Sequence, residues 1–125
     1  MASKKIVIPS MRPGGLESQC SPHFGHCELF TMVELEDGDV LEVRVLDSLE
    51  HVQGGCMEPV MYLKEQGADT LLVSGIGLRP LMGFQQVGIE VLGMAVGTVG
   101  AAIQDYLDGG LSPMDERQVC GHSRW

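Results

Sequence analysis

A chain of 125 residues, 44% hydrophobic and 20% charged, has the length and balance of one globular domain and is too short for two ordinary ones. A formal net charge of −9, with only eight Lys and Arg, argues against nucleic acid as partner, because affinity for a phosphate backbone starts from clustered basic residues. No apolar run approaches the roughly 20 residues of a membrane span, and the run Ile6-Val7-Ile8 is closed by Pro9 too early to form a secretory signal, so membrane is excluded and a cytoplasmic location is expected.

Lys4-Lys5-Ile6-Val7-Ile8-Pro9 reads as a first, buried strand. From Ser10 to Gly25 the prolines at 13 and 22 and the glycines at 14, 15 and 25 break any period, which predicts a loop. A second strand over Glu28 to Leu35 and a third over Val40 to Leu46 flank Asp37-Gly38-Asp39, a hairpin turn. Another loop, Asp47 to Cys56, precedes a helix with Pro59 in its first turn and a stop at Gly67. Thr70 to Val73 is a buried strand that runs through Ser74-Gly75-Ile76-Gly77 into a second helix, with Pro80 near its start and Gly88 at its end. Ile89 to Leu92 is the fifth strand. Thr98 is then the expected N-cap of a third helix, Val99 to Leu107, which Gly109-Gly110 stops.

This order predicts an α/β domain over residues 1–110, with a mixed sheet, right-handed parallel crossovers and helices on both faces. Residues 111–125 form a polar tail. If the second strand alone runs against the other four, one edge of the sheet gathers Cys20, His23, His26, Cys27 and Cys56 beside three helix N-termini.

Those residues carry the chemistry. Cys20-Ser21-Pro22-His23-Phe24-Gly25-His26-Cys27 holds two thiols and two imidazoles, donors that suit zinc, copper(I) and iron-sulfur clusters. The alternative is structural: histidines that bond the loop backbone, and a cysteine filling a small buried site. Cys56 follows Gly54-Gly55 at a helix start, where the helix dipole favours thiolate; the same position also suits a cysteine packed under a loop. His51 is a minor candidate. Gly75, Gly77 and Arg79 are candidates for binding an anionic group at a glycine turn, although the turn lacks the further residues of a nucleotide fingerprint. Cys120 and His122, one glycine apart, could add two more ligands from the tail. Neither paired carboxylates nor a serine nucleophile stands out, so an enzyme is not expected.

Several motifs in this order resemble one family: Ser21-Pro22-His23-Phe24-Gly25-His26-Cys27 with Phe30, Gly54-Gly55-Cys56, Gly67-Ala68-Asp69, Gly75-Ile76-Gly77, Gly88-Ile89-Glu90-Val91, and Tyr106-Leu107-Asp108-Gly109-Gly110-Leu111. Together they resemble the dinitrogenase iron-molybdenum cofactor biosynthesis family from Lys4 to about Leu111. The resemblance implies a ribonuclease H-like three-layer α/β/α fold with a five-stranded sheet of order 3-2-1-4-5, strand two antiparallel. It also implies binding or carrying of an iron-sulfur or molybdenum-containing cluster in cofactor assembly or delivery. On it, His23 takes the place of the histidine in the family's His-Phe-Gly motif, Gly54-Gly55 that of its glycine-rich segment, and Cys56 is a thiol that only some members add. The chain resembles stand-alone members, among them carriers of molybdenum-copper sulfide clusters, rather than a cofactor-synthesising catalyst. Its implied partners are the cluster and the proteins that donate or accept it, and the reading is compatible with a homodimer. Two other functions fit the residues: a thiol-redox protein using Cys56 with Cys20 or Cys27, and a regulatory module binding a small anion at Gly75-Ile76-Gly77.

Overall fold

The structure, a computed structural model, describes residues 3–21, 29–47, 57–76, 78–93 and 97–113. Its elements run β1 (Lys4–Ser10), β2 (Leu29–Glu36), β3 (Asp39–Asp47), α1 (Met57–Glu65), β4 (Thr70–Leu72), α2 (Leu78–Gln86), β5 (Glu90–Gly93), α3 (Val99–Leu107) and β6 (Ser112–Pro113). The sheet order is β3-β2-β1-β4-β5-β6. β2 is antiparallel to both β1 and β3, while β1, β4 and β5 are parallel neighbours. The expected order 3-2-1-4-5 is therefore present, with one short strand added.

Local chemistry accounts for the element ends. Asp37 and Gly38 both take positive φ, 54° and 85°, as a two-residue type I′ hairpin requires, and glycine there avoids the Cβ clash. α3 starts at its N-cap, where Thr98 Oγ1 accepts the Ala101 N–H at 3.1 Å. It ends in a Schellman motif: the Gly110 N–H donates to Asp105 O and the Gly109 N–H to Tyr106 O, with Gly109 at φ 78°. α1 and α2 close in the same way around Gly67 and Gly88, and there the residue after the glycine, Ala68 or Ile89, is buried with Leu63 or Phe84 five residues back in the helix.

β1, β2, β4 and β5 are buried on both faces, hence their near-continuous apolar runs, whereas β3 is exposed from Asp39 to Val45. On one face Val7, Phe30, Met32, Leu71 and Val91 pack under α1 and α2 through Val60, Leu63, Leu81 and Phe84. On the other, Ile6, Ile8, Val33, Leu35, Leu72 and Leu92 pack under α3 through Val99, Ala102 and Ile103. At the start of the parallel strands Asp69 joins three of them. The Lys5 N–H donates to Asp69 Oδ2 and the Asp69 N–H to Lys5 O, both at 2.9 Å, while the Glu90 N–H donates to Asp69 O at 3.2 Å.

The two edges of the sheet are built differently. At the Asp69 edge the elements are joined by residues 37–38, 66–69 and 87–89, two to four at a time, while residues 108–111 lead from the end of α3 to β6, which starts beside Gly93. At the opposite edge the joins are 11–28, 48–56, 73–77 and 94–98, five to eighteen residues each.

Two parts of the chain differ from the sequence reading. Ser112–Pro113, read as the start of a shapeless tail, pairs antiparallel with Leu92 and Gly93, and Leu111 packs against the core under α3. A two-residue strand containing proline has no period to detect, and it forms because β5 offers a free edge. Residues 11–21 are an ordered excursion rather than an irregular loop. The chain returns antiparallel to the end of β1, with the Met11 N–H donating to Gln19 O and the Ser21 N–H to Pro9 O.

Candidate metal-binding edge

The register fixes where the predicted ligand segments are rooted. Ser10 at the end of β1 lies opposite Leu29 at the start of β2, and Leu29 lies opposite Asp47 at the end of β3. Segment 22–28, which holds His23, His26 and Cys27, thus leaves from Ser21 and rejoins at Leu29. Segment 48–56, which holds Gly54, Gly55 and Cys56, leaves from Asp47 and rejoins at the first residue of α1. The ends of β4 and β5 open on the same edge, where open parallel sheets hold their ligands.

A buried polar chain supports this edge from below. Gly15 N–H donates to Thr31 Oγ1 at 3.1 Å, the Thr31 and Ser10 hydroxyls are 2.9 Å apart, and Ser10 Oγ lies 2.7 Å from Ile8 O. With Thr31 donating to Ser10 and Ser10 to the carbonyl, every proton in the chain is used, although both residues are fully buried. Sequence reasoning passed over Ser10 and Thr31. Their signal was a hydroxyl at a buried position in each of two apolar runs.

Of the predicted donors, Cys20 is described. It bridges to Ser10, and its N–H donates to Gly97 O at 2.8 Å. Its half-buried side chain packs with Leu16 against the core under α3. Burial pushes the thiol up to about 11 against a smaller opposing effect of a backbone hydrogen bond. The neutral thiol is the form the fold favours, so its contribution to stability is present below about pH 9 and is lost as pH rises towards 11. Alkylation of Cys20 by iodoacetamide at pH 8 is expected to be slow, with about one thiol in a thousand ionised, and to speed up about tenfold per pH unit to near pH 11. Peptide mass spectrometry of the native protein measures it; rapid labelling at pH 8 would contradict the placement.

The same loop occupies the start of α3. Val99 N–H donates to Ser18 O and Gly100 N–H to Leu16 O, both at 2.8 Å, and Ala101 N–H is taken by Thr98. The sequence reading put three helix N-termini at this edge with donors for an anion; at α3 the first-turn donors are consumed by the protein itself. Gly75 and Ile76 are buried, and Ile76 belongs to the core under α1 and α2. Arg79 lies within α2. His23, His26, Cys27, His51, Gly54, Gly55, Cys56, Gly77, Cys120 and His122 lie outside the described residues. Among the described residues no three His, Cys, Asp or Glu side chains form a group that could hold a metal, and no helix is long and apolar enough to cross a membrane.

The sequence matches the family described as Dinitrogenase iron-molybdenum cofactor over residues 4–109. The chain belongs to that family. An uncharacterized protein of Methanocaldococcus jannaschii is 26% identical over 100 residues, covering 78% of this chain and 85% of its own. The NMR structure of a Thermotoga protein provisionally named NifB superposes with a TM-score of 0.72 at 26% identity, covering 88% of this chain and 92% of that one. The apo form of the orange protein from Desulfovibrio gigas has the same fold, with a TM-score of 0.77 at 24% identity over 90% of this chain and 97% of that one. The motifs that carry the resemblance divide in two. Gly67-Ala68-Asp69, Gly88-Ile89-Glu90 and Asp108-Gly109-Gly110 are helix ends and strand ties of the Asp69 edge, and so serve the frame. The histidine and cysteine motifs belong to the segments rooted at the other edge.

Proposed function

We propose that this protein is a cytoplasmic carrier of an iron-sulfur or molybdenum-containing cluster, not an enzyme, and that His23, His26, Cys27 and Cys56 bind the cargo. The observation that carries this reading is the side-by-side placement of Ser10, Leu29 and Asp47, which brings the roots of two ligand-bearing segments to one sheet edge. Cys27 is two residues from Leu29 and Cys56 one residue from α1, so both thiols are tethered close to that edge. Thiolate and imidazole are the donors that soft and borderline metals select. Membership of a family described by the iron-molybdenum cofactor supports a cluster over a single ion. Cys120 and His122 close the site in this reading, Gly54, Gly55, Gly75, Gly77 and Arg79 contact the anionic cluster, and cluster donor and acceptor proteins are the partners.

The test is anaerobic reconstitution with sulfide and iron, molybdenum or copper under reducing conditions, followed by elemental analysis and an absorption spectrum. Wild-type protein and Cys20→Ala are expected to take up metal, because the Cys20 side chain packs with Leu16 against the core under α3. Cys27→Ser and Cys56→Ser are each expected to retain less than about a tenth of it, a loss of the size that follows removal of a ligating group. Wild-type protein that takes up none of these metals would overturn the proposal.

A further inference from the structure

β3 ends the sheet, so among the described residues one side of its backbone has no ladder. Nine residues of such an edge are a template for another strand. Natural edges are commonly blunted by charge, yet here the charges are arranged to attract a copy of themselves. In Asp39-Val40-Leu41-Glu42-Val43-Arg44-Val45-Leu46-Asp47 residue types are symmetrical about Val43, apolar against apolar, except that Glu42 mirrors Arg44.

We propose that two copies of this chain pair antiparallel along β3, with Val43 opposite Val43 at a two-fold axis. In that register Glu42 of each copy faces Arg44 of the other and Leu41 faces Val45. The neighbouring registers that keep the faces matched set Glu42 against Glu42 or Arg44 against Arg44, so charge selects one alignment. The apolar positions have a reason to pair. Leu41, Val43 and Val45 are 54%, 37% and 46% exposed on the α3 side of the sheet, where the core under α3 includes no residue of β3. Glu42 and Arg44 lie on the other side, lining a shallow depression with Lys5, Met32 and Glu34. The bulge lies on β3 itself, where Leu41 has no partner on β2 and Val40 pairs with Leu35, so the ladder is regular from Glu42 onward and contains both charged pairs.

This pairing places the Asp47 end of one β3 beside the Asp39 end of the other. The two metal-binding edges then point in opposite directions, so each copy keeps its own site.

Sedimentation equilibrium across the micromolar range tests the proposal. The wild type is expected to dimerise reversibly, with the same constant with and without added metal. Arg44→Glu and Glu42→Arg each replace two attractive cross-strand pairs with two repulsive ones and are expected to weaken the dimer about tenfold or more. The double variant Glu42→Arg/Arg44→Glu restores opposite charges and is expected to return to within a few-fold of the wild type, a rescue that a misfolded chain cannot give. A wild type that stays monomeric, single reversals without effect, or a double variant that stays as weak as the singles would each overturn it.

Discussion

Replacing Phe30 with alanine is expected to lower the free energy of unfolding by about 3–5 kcal/mol. Phe30 is 1% exposed and sits between Pro9 of β1 and Leu46 of β3, in the core under α1 and α2. Its removal leaves a cavity next to strands that cannot collapse inward, because the opposite face is filled by a second core. Against the roughly 6–19 kcal/mol expected of a domain this long, the loss moves the urea midpoint far while leaving the slope unchanged. A change below about 1 kcal/mol would mean that the ring is not packed as described. Because Phe30 follows Leu29, the variant also loosens the anchor from which segment 22–28 hangs.

Gly100→Val is the second large effect, and its contrast with Gly100→Ala gives it force. A Cβ at Gly100 would lie 3.2 Å from Leu16 O, a backbone atom held in place by its bond to the Gly100 N–H. Alanine brings tight contact but recovers part of the roughly 1 kcal/mol that glycine costs in a helix, so Gly100→Ala is expected to stay within about 1 kcal/mol of the wild type. Valine adds two methyl groups in the same direction and must push residues 16–20 off α3. Val99 N–H and Gly100 N–H then lose Ser18 O and Leu16 O, and stability falls by about 2–3 kcal/mol. The same displacement uncovers Cys20, so alkylation at pH 8 rises together with the stability loss in chemical denaturation. Loss of stability without faster labelling of Cys20 would show that the loop stays seated.

The frame was legible because its determinants are local. The Asp37-Gly38 turn, the Thr98 cap and the glycines after the three helices each act within a few residues, and period and caps mark them directly. What sequence reading missed depends on partners far along the chain. Residues 11–21 look irregular because Pro13, Gly14 and Gly15 break any pattern, yet they are ordered by bonds to α3 more than seventy residues later. That clasp also buries Cys20, whose company in sequence is ligands and whose company in space is Leu16 and the α3 core. Of the candidate site, the sequence order placed the roots of segments 22–28 and 48–56 at one edge, as the register shows, because strand direction alone determines it, while the histidines and cysteines of those segments lie outside the described residues. It could not tell which helix start had donors to spare, since that depends on which carbonyl of the folded chain reaches it first.

Under the proposed function, the unequal joins at the two ends of the sheet divide the work of folding from the work of recognition. Short glycine-ended connections at the Asp69 edge lose little entropy on closure, so the frame assembles from near neighbours. At the opposite edge residues 11–21 and 73–76 are tied into the frame through Leu16, Cys20, Val73 and Ile76, which leaves segments 22–28 and 48–56 as the connections to vary. If these segments bind the proposed cluster, such a scaffold is retuned for a different cargo by exchanging segments 22–28 and 48–56 while every cap and strand tie stays in place. Chimaeras that swap those two segments between relatives are then expected to inherit the melting behaviour of the frame donor and the metal preference of the segment donor.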